Sequence, residues 1–425
     1  MTADERLLVL MTLAAPTGAE LAEARALAPD RDRFAALAEL NATVPLVHRN
    51  LERAGLPVPA AFAARTEEVR AANEARLRVA RELFARFADR GIPVVILKGV
   101  LFAETIYRDP HYKRMNDVDI LVRRGDRDAV YAVYDEMRFW CAAQLMGGSA
   151  KKQEKHSHHA PPFFSRDLTC MVGTHWGLIT PLSPYTFDYD GIWSRVADVD
   201  FYGHPAKSMS PEDNLHHLCV HLPYYKTGLR ELADIYNLVR HAPIDWEVFE
   251  REVRKAGTEN LVYHALSLAN ALVPCADLSR IEPRVSRWYR RDAARKTADV
   301  GRLLRSRCTH LSVIEKHFAD FRATKSWGSF LRMWGNMLWP PSADVAKMSS
   351  TGRATLAARL AAPGRIRRVF YRDVGRLFFW IIMAKCAWDV VKSTFTRGAE
   401  SDPSAFAAGL GVTVADLRRL KEALE

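Results

Sequence analysis

Between Thr66 and Gly91 the apolar residues fall at Val69, Leu77, Val79, Ala80, Leu83, Phe84 and Phe87. That spacing returns to one side of a 3.6-residue turn, so it predicts a helix, with Gly91 to close it. The whole of the first 90 residues, rich in Ala, Leu, Arg and Glu, reads as helical. The pattern then changes. "IPVVILKG" (92–99) is a short continuous β-rich run, as expected of a strand covered on both faces. "VLFAETIY" (100–107) predicts a helix entered through Gly99, "RDPHYKRMN" (108–116) a loop, "DVDILVR" (117–123) a second strand, and "GDRDAVYAVYDEMRFWC" (125–141) a helix. A polar loop follows at 147–167, and "LTCMVGTHWGL" (168–178) predicts a third strand. Alternation of helix and strand calls for helices packed on a small sheet.

From residue 210 the period is helical again. "SPEDNLHHLCVHLPYY" (210–225), "RELADIYNLVRH" (230–241) and "DWEVFEREVRKAG" (245–257) predict helices, the last two with apolar stripes, and "LVYHALSLANALVP" (261–274) is apolar on more sides. Residues 280–307 hold ten Arg and Lys against three acids and read as a basic helix. The Pro/Ser/Gly-rich stretch 337–353 marks a boundary. The expected organisation is therefore a helical N-terminal region (1–90), an α/β core (91–205), a helical domain (206–336) and a helical C-terminal region (337–425).

Composition changes this picture little. With 425 residues, 48% of them hydrophobic and 26% charged, the chain is long enough for two or three folded domains. A net charge of +11 suits an anionic partner, whether nucleotide, nucleic acid, phosphorylated small molecule or membrane surface, without choosing among them. Six scattered cysteines without a CxxC pair predict free thiols in a reducing, cytoplasmic setting. The N-terminus has no basic stretch ahead of its apolar residues, so no signal peptide is expected. "LFFWIIMA" (377–384) is too short to span a bilayer and reads as a buried helix or a surface-lying one.

Candidate chemistry centres on "NDVDILV". On a strand, residues two apart share a face, so Asp117 and Asp119 point the same way. Two close carboxylates repel unless a cation lies between them, and Mg²⁺ is held by one or two carboxylates with phosphates and water completing its shell. The alternative is a solvated polar edge. Lys98 and Gly99 at the end of the first strand suit a phosphate, through an ammonium and a close backbone approach. Arg108, Lys113 and Arg114, just before the acids, suit a triphosphate.

These residues resemble the nucleotidyltransferase-like family of the DNA polymerase β superfamily. The resemblance rests on Leu97, Lys98 and Gly99; on Tyr107, Asp109 and Pro110; and on Arg114, Asp117, Asp119, Leu121 and Val122. It continues through "KHSHHAPPFF" (155–164), "THWGL" (174–178) and the region 210–239, and covers roughly residues 40 to 275. It implies an α+β polymerase β-like core with a small mixed sheet, flanked by mainly helical N- and C-terminal regions. It also implies a chemistry: Asp117 and Asp119 hold Mg²⁺, with Mn²⁺ as a substitute, on an NTP. A hydroxyl or phosphate of a small molecule or peptide attacks the α-phosphorus, and pyrophosphate leaves. Lys98, Gly99, Arg108, Lys113 and Arg114 would bind the nucleotide, and His156, His158 and His159 would form a substrate loop.

One position departs from the family pattern. The third carboxylate of the superfamily would stand two residues before the His of "HW", and Gly173 stands there. Either His175, on the same strand face, serves as base or ligand, or another acid such as Asp167 or Asp188 substitutes, or the chain binds a nucleotide without turning it over. The last alternative makes it a nucleotide-binding regulator or partner protein. A nucleic-acid-acting transferase, suggested by the basic stretch 280–307, ranks third because no RNA- or DNA-reading motif appears. The run "HSHH" lacks the spacing of a closed zinc site and reads as a substrate-contacting or a merely solvated loop. His216, His217 and His221 sit at helical spacing among leucines and read as core, with His217 and His221 on one face. Asp234 is expected to cap, to pair with Arg230 or to face the cleft.

Overall fold

The computed structural model describes residues 1–141, 157–179, 183, 185–222 and 228–306. The described residues divide into two compact units, one drawn from 1–133 and 185–306, the other from 134–183. Fourteen helices and seven strands of mixed direction lie among the described residues, an α/β architecture with a helical flank.

The first unit opens with five helices: α1 (Ala3–Met11), α2 (Gly18–Ala26), α3 (Arg31–Leu40), α4 (Val44–Ala54) and α5 (Ala60–Asp89). Their ends follow from local chemistry. Thr2 with Glu5, and Thr17 with Glu20, form reciprocal capping boxes that satisfy otherwise orphaned amides. Pro45 occupies the first turn of α4, and Gly55 at φ 64° ends it. The stripe of α5 is buried from Phe62 to Phe87. Gly91 at φ 63° turns the chain, with the Ile92 amide bonded to the Phe87 carbonyl, and sends it into the sheet.

In the run 92–99 only β1 (Val95–Ile96) is paired as a strand, and Lys98 already opens α6 (Lys98–Phe102). A wider π-turn, Ala103–Tyr107, follows α6 and ends at Arg108 with φ 51°. β2 (Val118–Leu121) runs antiparallel to β1, with Ile96 opposite Ile120. On its other side β1 is parallel to β7 (His204–Ser208), which forms a hairpin with β6 (Ala197–Phe201). Tyr202 and Gly203 both have positive φ, the tight two-residue turn that suits strand twist. Phe201 of this hairpin lies 4.4 Å, ring to ring, from Phe84 of α5. Burying each such side chain contributes roughly 1.5–3 kcal/mol. α7 (Arg127–Glu136) follows β2, and α8 (Tyr189–Ser194) precedes β6. The helical layer consists of α9 (Pro211–His221), α10 (Leu229–His241), α11 (Trp246–Ala256), α12 (Glu259–Leu272), α13 (Arg287–Ala298) and α14 (Gly301–Ser306).

In the second unit β3 (Trp140–Cys141), β4 (Phe163–Phe164) and β5 (Met171–His175) form an antiparallel series. Tyr134 and Phe163 stack at 4.4 Å, and the Tyr134 hydroxyl shares a hydrogen bond with Thr174.

Two further expected elements differ. The helix expected over 125–141 ends at Glu136: Arg138 takes φ 56° and the Phe139 amide bonds back to the Tyr134 carbonyl, a left-handed helix stop. Trp140 and Cys141 then pair with Phe164 and Phe163. The single basic helix expected over 280–307 is a short 3₁₀ turn, Glu282–Arg284, followed by α13 and α14. Pro283 fits only a first helical turn, Ser286 caps α13 by accepting from the Tyr289 amide, and Asp299 breaks it from α14. The C-terminal break at 337–353 and the apolar run 377–384 lie outside the described residues. Among the described residues no helix is long and apolar enough to cross a membrane, and Cys141, Cys170, Cys219 and Cys275 are unbridged.

Candidate functional site

The loop between α6 and β2 is fixed from several sides. Asn73, fully buried on α5, donates to the carbonyls of Pro110 (3.0 Å) and Lys113 (2.8 Å) and accepts from the Met115 amide (3.0 Å). Arg49 on α4 donates to the Tyr107 carbonyl and to Asp109, both at 3.1 Å. Asp109 in turn accepts from the His111 amide at 2.8 Å, the turn that Asp-Pro favours. The chain therefore enters β2 from a constrained direction.

At the start of β2, Asp117 is half-buried and Asp119 is 8% exposed. The Leu97 amide donates to the Asp119 carbonyl at 3.0 Å, so the end of β1 and the acid pair are held side by side. The Asp117 carboxyl is pushed up to about 7, first by its withdrawal from water and second by the Asp119 charge, while Lys98 and Arg230 act in the opposite sense. The Lys98 ammonium donates to Asp119 Oδ2 at 2.8 Å. Lys98 carries φ 53°, a left-handed backbone that costs an L-residue about 1–2 kcal/mol. Lys98, Gly99, Asp117 and Asp119 thus form one corner.

Lys113 reaches the same corner. Its stem crosses Gly99 so closely that a β-carbon there would lie 3.3 Å from Cε. Its ammonium bonds to Asp234 on α10. Asp234 also accepts from the Tyr107 hydroxyl at 2.9 Å, and Tyr107 stacks on Tyr112 with centroids 3.8 Å apart. Of the options for Asp234, the structure shows contact with Lys113 and Tyr107, while Arg230 pairs with Glu231 at 2.8 Å. Arg114 is half-buried, and its Nε is buried without a hydrogen-bond partner among the described residues. Arg108 is exposed. Arg230, Tyr107 and Asn237 belong to this surround and were not candidates from the sequence, except that Tyr107 lies in the Tyr-x-Asp-Pro stretch.

His175 belongs to the second unit, at the end of β5, and is 7% exposed. A corner is built around it: His159 bridges to His175, the Ala160 amide bonds to the Thr174 carbonyl, and the Trp176 and Gly177 amides both bond to the His158 carbonyl. The rings of His158, His159 and His175 lie 4.6, 5.4 and 5.6 Å apart. His159 Nδ1 lies 2.7 Å from the Ala160 carbonyl, the contact of a donating N–H. His156 lies outside the described residues. Gly173 is on β5, two residues before His175. Among the described residues no group of three or more His, Cys, Asp or Glu is arranged to hold a metal ion.

The substitute acids have other local partners. Asp167 accepts from Ser165 and Thr169 within a turn of the second unit, and Asp188 caps α8 through the Gly191 amide. His216 is buried against Phe187 and bonded to Thr258 at 2.6 Å, a core histidine as its spacing predicts. His217 and His221 meet edge to face, 4.4 Å apart.

A family model described as uncharacterised nucleotidyltransferase matches residues 28–274. No curated protein and no solved structure matches the chain.

Proposed function

The chain belongs to the uncharacterised nucleotidyltransferase family, and from that premise we propose that it moves a nucleoside monophosphate from an NTP to a hydroxyl or phosphate of a small molecule or peptide. In the proposed reaction the acceptor oxygen forms a bond to the α-phosphorus, the bond from that phosphorus to the α–β bridging oxygen breaks, and pyrophosphate leaves with the electron pair. A hydroxyl acceptor gives its proton to a base, for which His175 is proposed from the sequence pattern alone.

The observation that carries this reading is the corner itself: two acids, one half-buried and one buried, beside the Lys98–Gly99 turn, with an ammonium already against Asp119. The Asp117 carboxyl is raised first by burial and second by the Asp119 charge, and a cation between the two acids would relieve the second of these. Asp117 and Asp119 are the residues that would hold Mg²⁺, a fit for an ion that takes one or two carboxylates and completes its shell with phosphates and water. When bound, Mg²⁺ would neutralise phosphate charge and hold the reacting groups in line. Lys98 and Lys113 supply ammonium groups for the triphosphate, Gly99 allows close backbone approach, and Arg114 adds a guanidinium whose Nε has no hydrogen-bond partner among the described residues.

A second reading is favoured by Gly173, the position where a third carboxylate is expected. On that reading the chain binds Mg·NTP without turnover, as a regulator or partner protein. One experiment separates the two. The protein is incubated with Mg²⁺, each NTP and a cell-extract metabolite fraction, with pyrophosphate release and nucleotide adducts followed by mass spectrometry and binding by calorimetry. The transferase reading expects both products, and Asp117→Asn should lower their rate by roughly a hundredfold or more, as loss of an electrostatic stabiliser does. Binding without products favours the regulator; full activity in Asp117→Asn overturns the assignment of the acid pair.

A further inference from the structure

The charge of the chain is unevenly spread. Residues 280–307 carry ten Arg and Lys and three acids, which places seven of the eleven excess positive charges in one short stretch. α13 lies at its centre, and the orientation of that helix follows from what it buries. Tyr289, Asp292 and Ala293 are turned inward. Asp292, the one acid of α13, pairs with Lys296 at 3.0 Å and lies 3.4 Å from Nε2 of His264, which is fully buried on α12. The acid is thus occupied inside the fold.

The opposite face is left to arginine. Arg287, Arg290 and Arg291 stand at i, i+3 and i+4, all exposed, with exposed Arg284 on the 3₁₀ turn before them. The side chains of these four make no hydrogen bond or ion pair among the described residues. Arg295 is exposed as well but pairs with Asp292. Like charges at these spacings repel, and cations in a first helical turn oppose the helix dipole. On α5 the same spacings are used differently, with Glu68 beside Arg65 and Glu82 beside Arg86. An arginine face kept against the preference of its own helix calls for an anion outside the fold.

Phosphate suits it best. A guanidinium meets two phosphate oxygens at once, and its plane can stack on a base. A membrane surface fits less well: a helix lying in a bilayer interface buries large apolar side chains, and among the described residues Met1 is the one large apolar side chain that is exposed. We propose that the arginine face of α13 is a docking surface for the phosphate backbone of a nucleic acid. Contacts to the backbone carry no base sequence, so binding is expected to be strong in salt dependence and weak in sequence preference. The surface stands independently of the chemistry assigned to Asp117 and Asp119.

The test uses the full chain over a salt series. Fluorescence anisotropy follows a labelled single-stranded RNA and a labelled duplex DNA, and co-sedimentation follows phosphatidylserine-containing vesicles. Each lost phosphate contact lowers the slope of log affinity against log salt by about 0.7 for a single strand and about 0.9 for a duplex. The combined variant Arg287→Gln, Arg290→Gln, Arg291→Gln should therefore lose about two from that slope and bind roughly tenfold more weakly or worse. Its thermal midpoint should not fall, because the substitutions relieve repulsion and remove no ion pair. Lysine at the same three positions keeps the charge and should keep the slope. The control Arg53→Gln, Arg70→Gln, Arg78→Gln, exposed on α4 and α5, removes equal charge elsewhere and should lose far less. Whichever nucleic acid shows this pattern is the source of the phosphates. Binding that survives the α13 substitutions, or falls equally in the control, reflects diffuse positive charge and overturns the proposal. Binding to the vesicles alone, or to none of the three, overturns it too. If the combined variant does not fold, Arg290→Gln alone decides through a slope change of about 0.7–0.9.

Discussion

A β-carbon added to Gly99 would meet Lys113 Cε at 3.3 Å and Nζ at 3.8 Å. Gly99 lies within α6, so alanine there gains helix propensity of up to about 1 kcal/mol. Against this, Lys113 must leave its preferred rotamer or loosen its grip on Asp234, at a cost of about 0.5–1.5 kcal/mol. The two effects nearly cancel in stability but not in the site. Gly99→Ala should therefore leave the thermal midpoint nearly unchanged while weakening Mg·NTP binding severalfold by calorimetry; equal affinity would show that Lys113 does not serve the nucleotide. At this scale the sequence was most informative where backbone and side chain act within a few residues. The acids, Lys98 and Gly99 lie within a stretch of 22 residues, and strand alternation with the glycine turn put them in one corner. Asp234 was ambiguous because its partners, Lys113 and Tyr107, lie more than a hundred positions away and periodicity carries no information about such pairings.

Helices were legible by their spacing: α9 and α11 fall within the stretches that predict them, and α5, α10 and α12 overlap theirs but begin six, one and two residues earlier. The hairpin β6–β7 was not, since its strands are mostly solvent-facing on one side and its turn begins with Tyr202, which gives no turn signal. α9 also carries a pH dependence. His216, buried against Phe187 and bonded to Thr258, is pushed down to about 3, first by burial and second by the charge of Arg195. An unfolded histidine titrates near 6.5, so between pH 6.5 and about 3 the unfolded chain binds the extra proton and the folded one does not. Stability from this group is thus unaffected above 6.5 and falls as the pH drops below it, by on the order of 2 kcal/mol by pH 5. Urea unfolding at pH 7 and pH 5 should show that loss, and His216→Gln should remove it from the difference between the two pH values even if it lowers stability at both. An undiminished difference in the variant would assign the acid limb to other groups.

Across the whole first unit, the corner depends on residues that precede the matched family segment. Asn237, fully buried on α10, donates to the Thr12 carbonyl at 2.9 Å and to the Tyr107 hydroxyl at 3.2 Å, and accepts from the Ala14 amide at 2.8 Å. Beside it Tyr236 shares a hydrogen bond with the Thr12 hydroxyl at 2.6 Å. The end of α1 is therefore tied through α10 to Tyr107, and Tyr107 to Asp234 and Lys113. Asn237→Leu keeps the volume but strands a buried amide, a buried carbonyl and one bond of Tyr107. The penalty for such orphaned groups is on the order of 3 kcal/mol, larger than the loss of any one exposed ion pair. Equilibrium urea unfolding should show a lower midpoint with an unchanged slope. Nucleotide affinity should fall less than stability does, because Lys113 keeps Asp234 as its direct anchor while only the tyrosine behind it is released. A variant as stable as wild type would mean that the N-terminal helices do not brace the site, and that α10 is positioned by its apolar stripe alone.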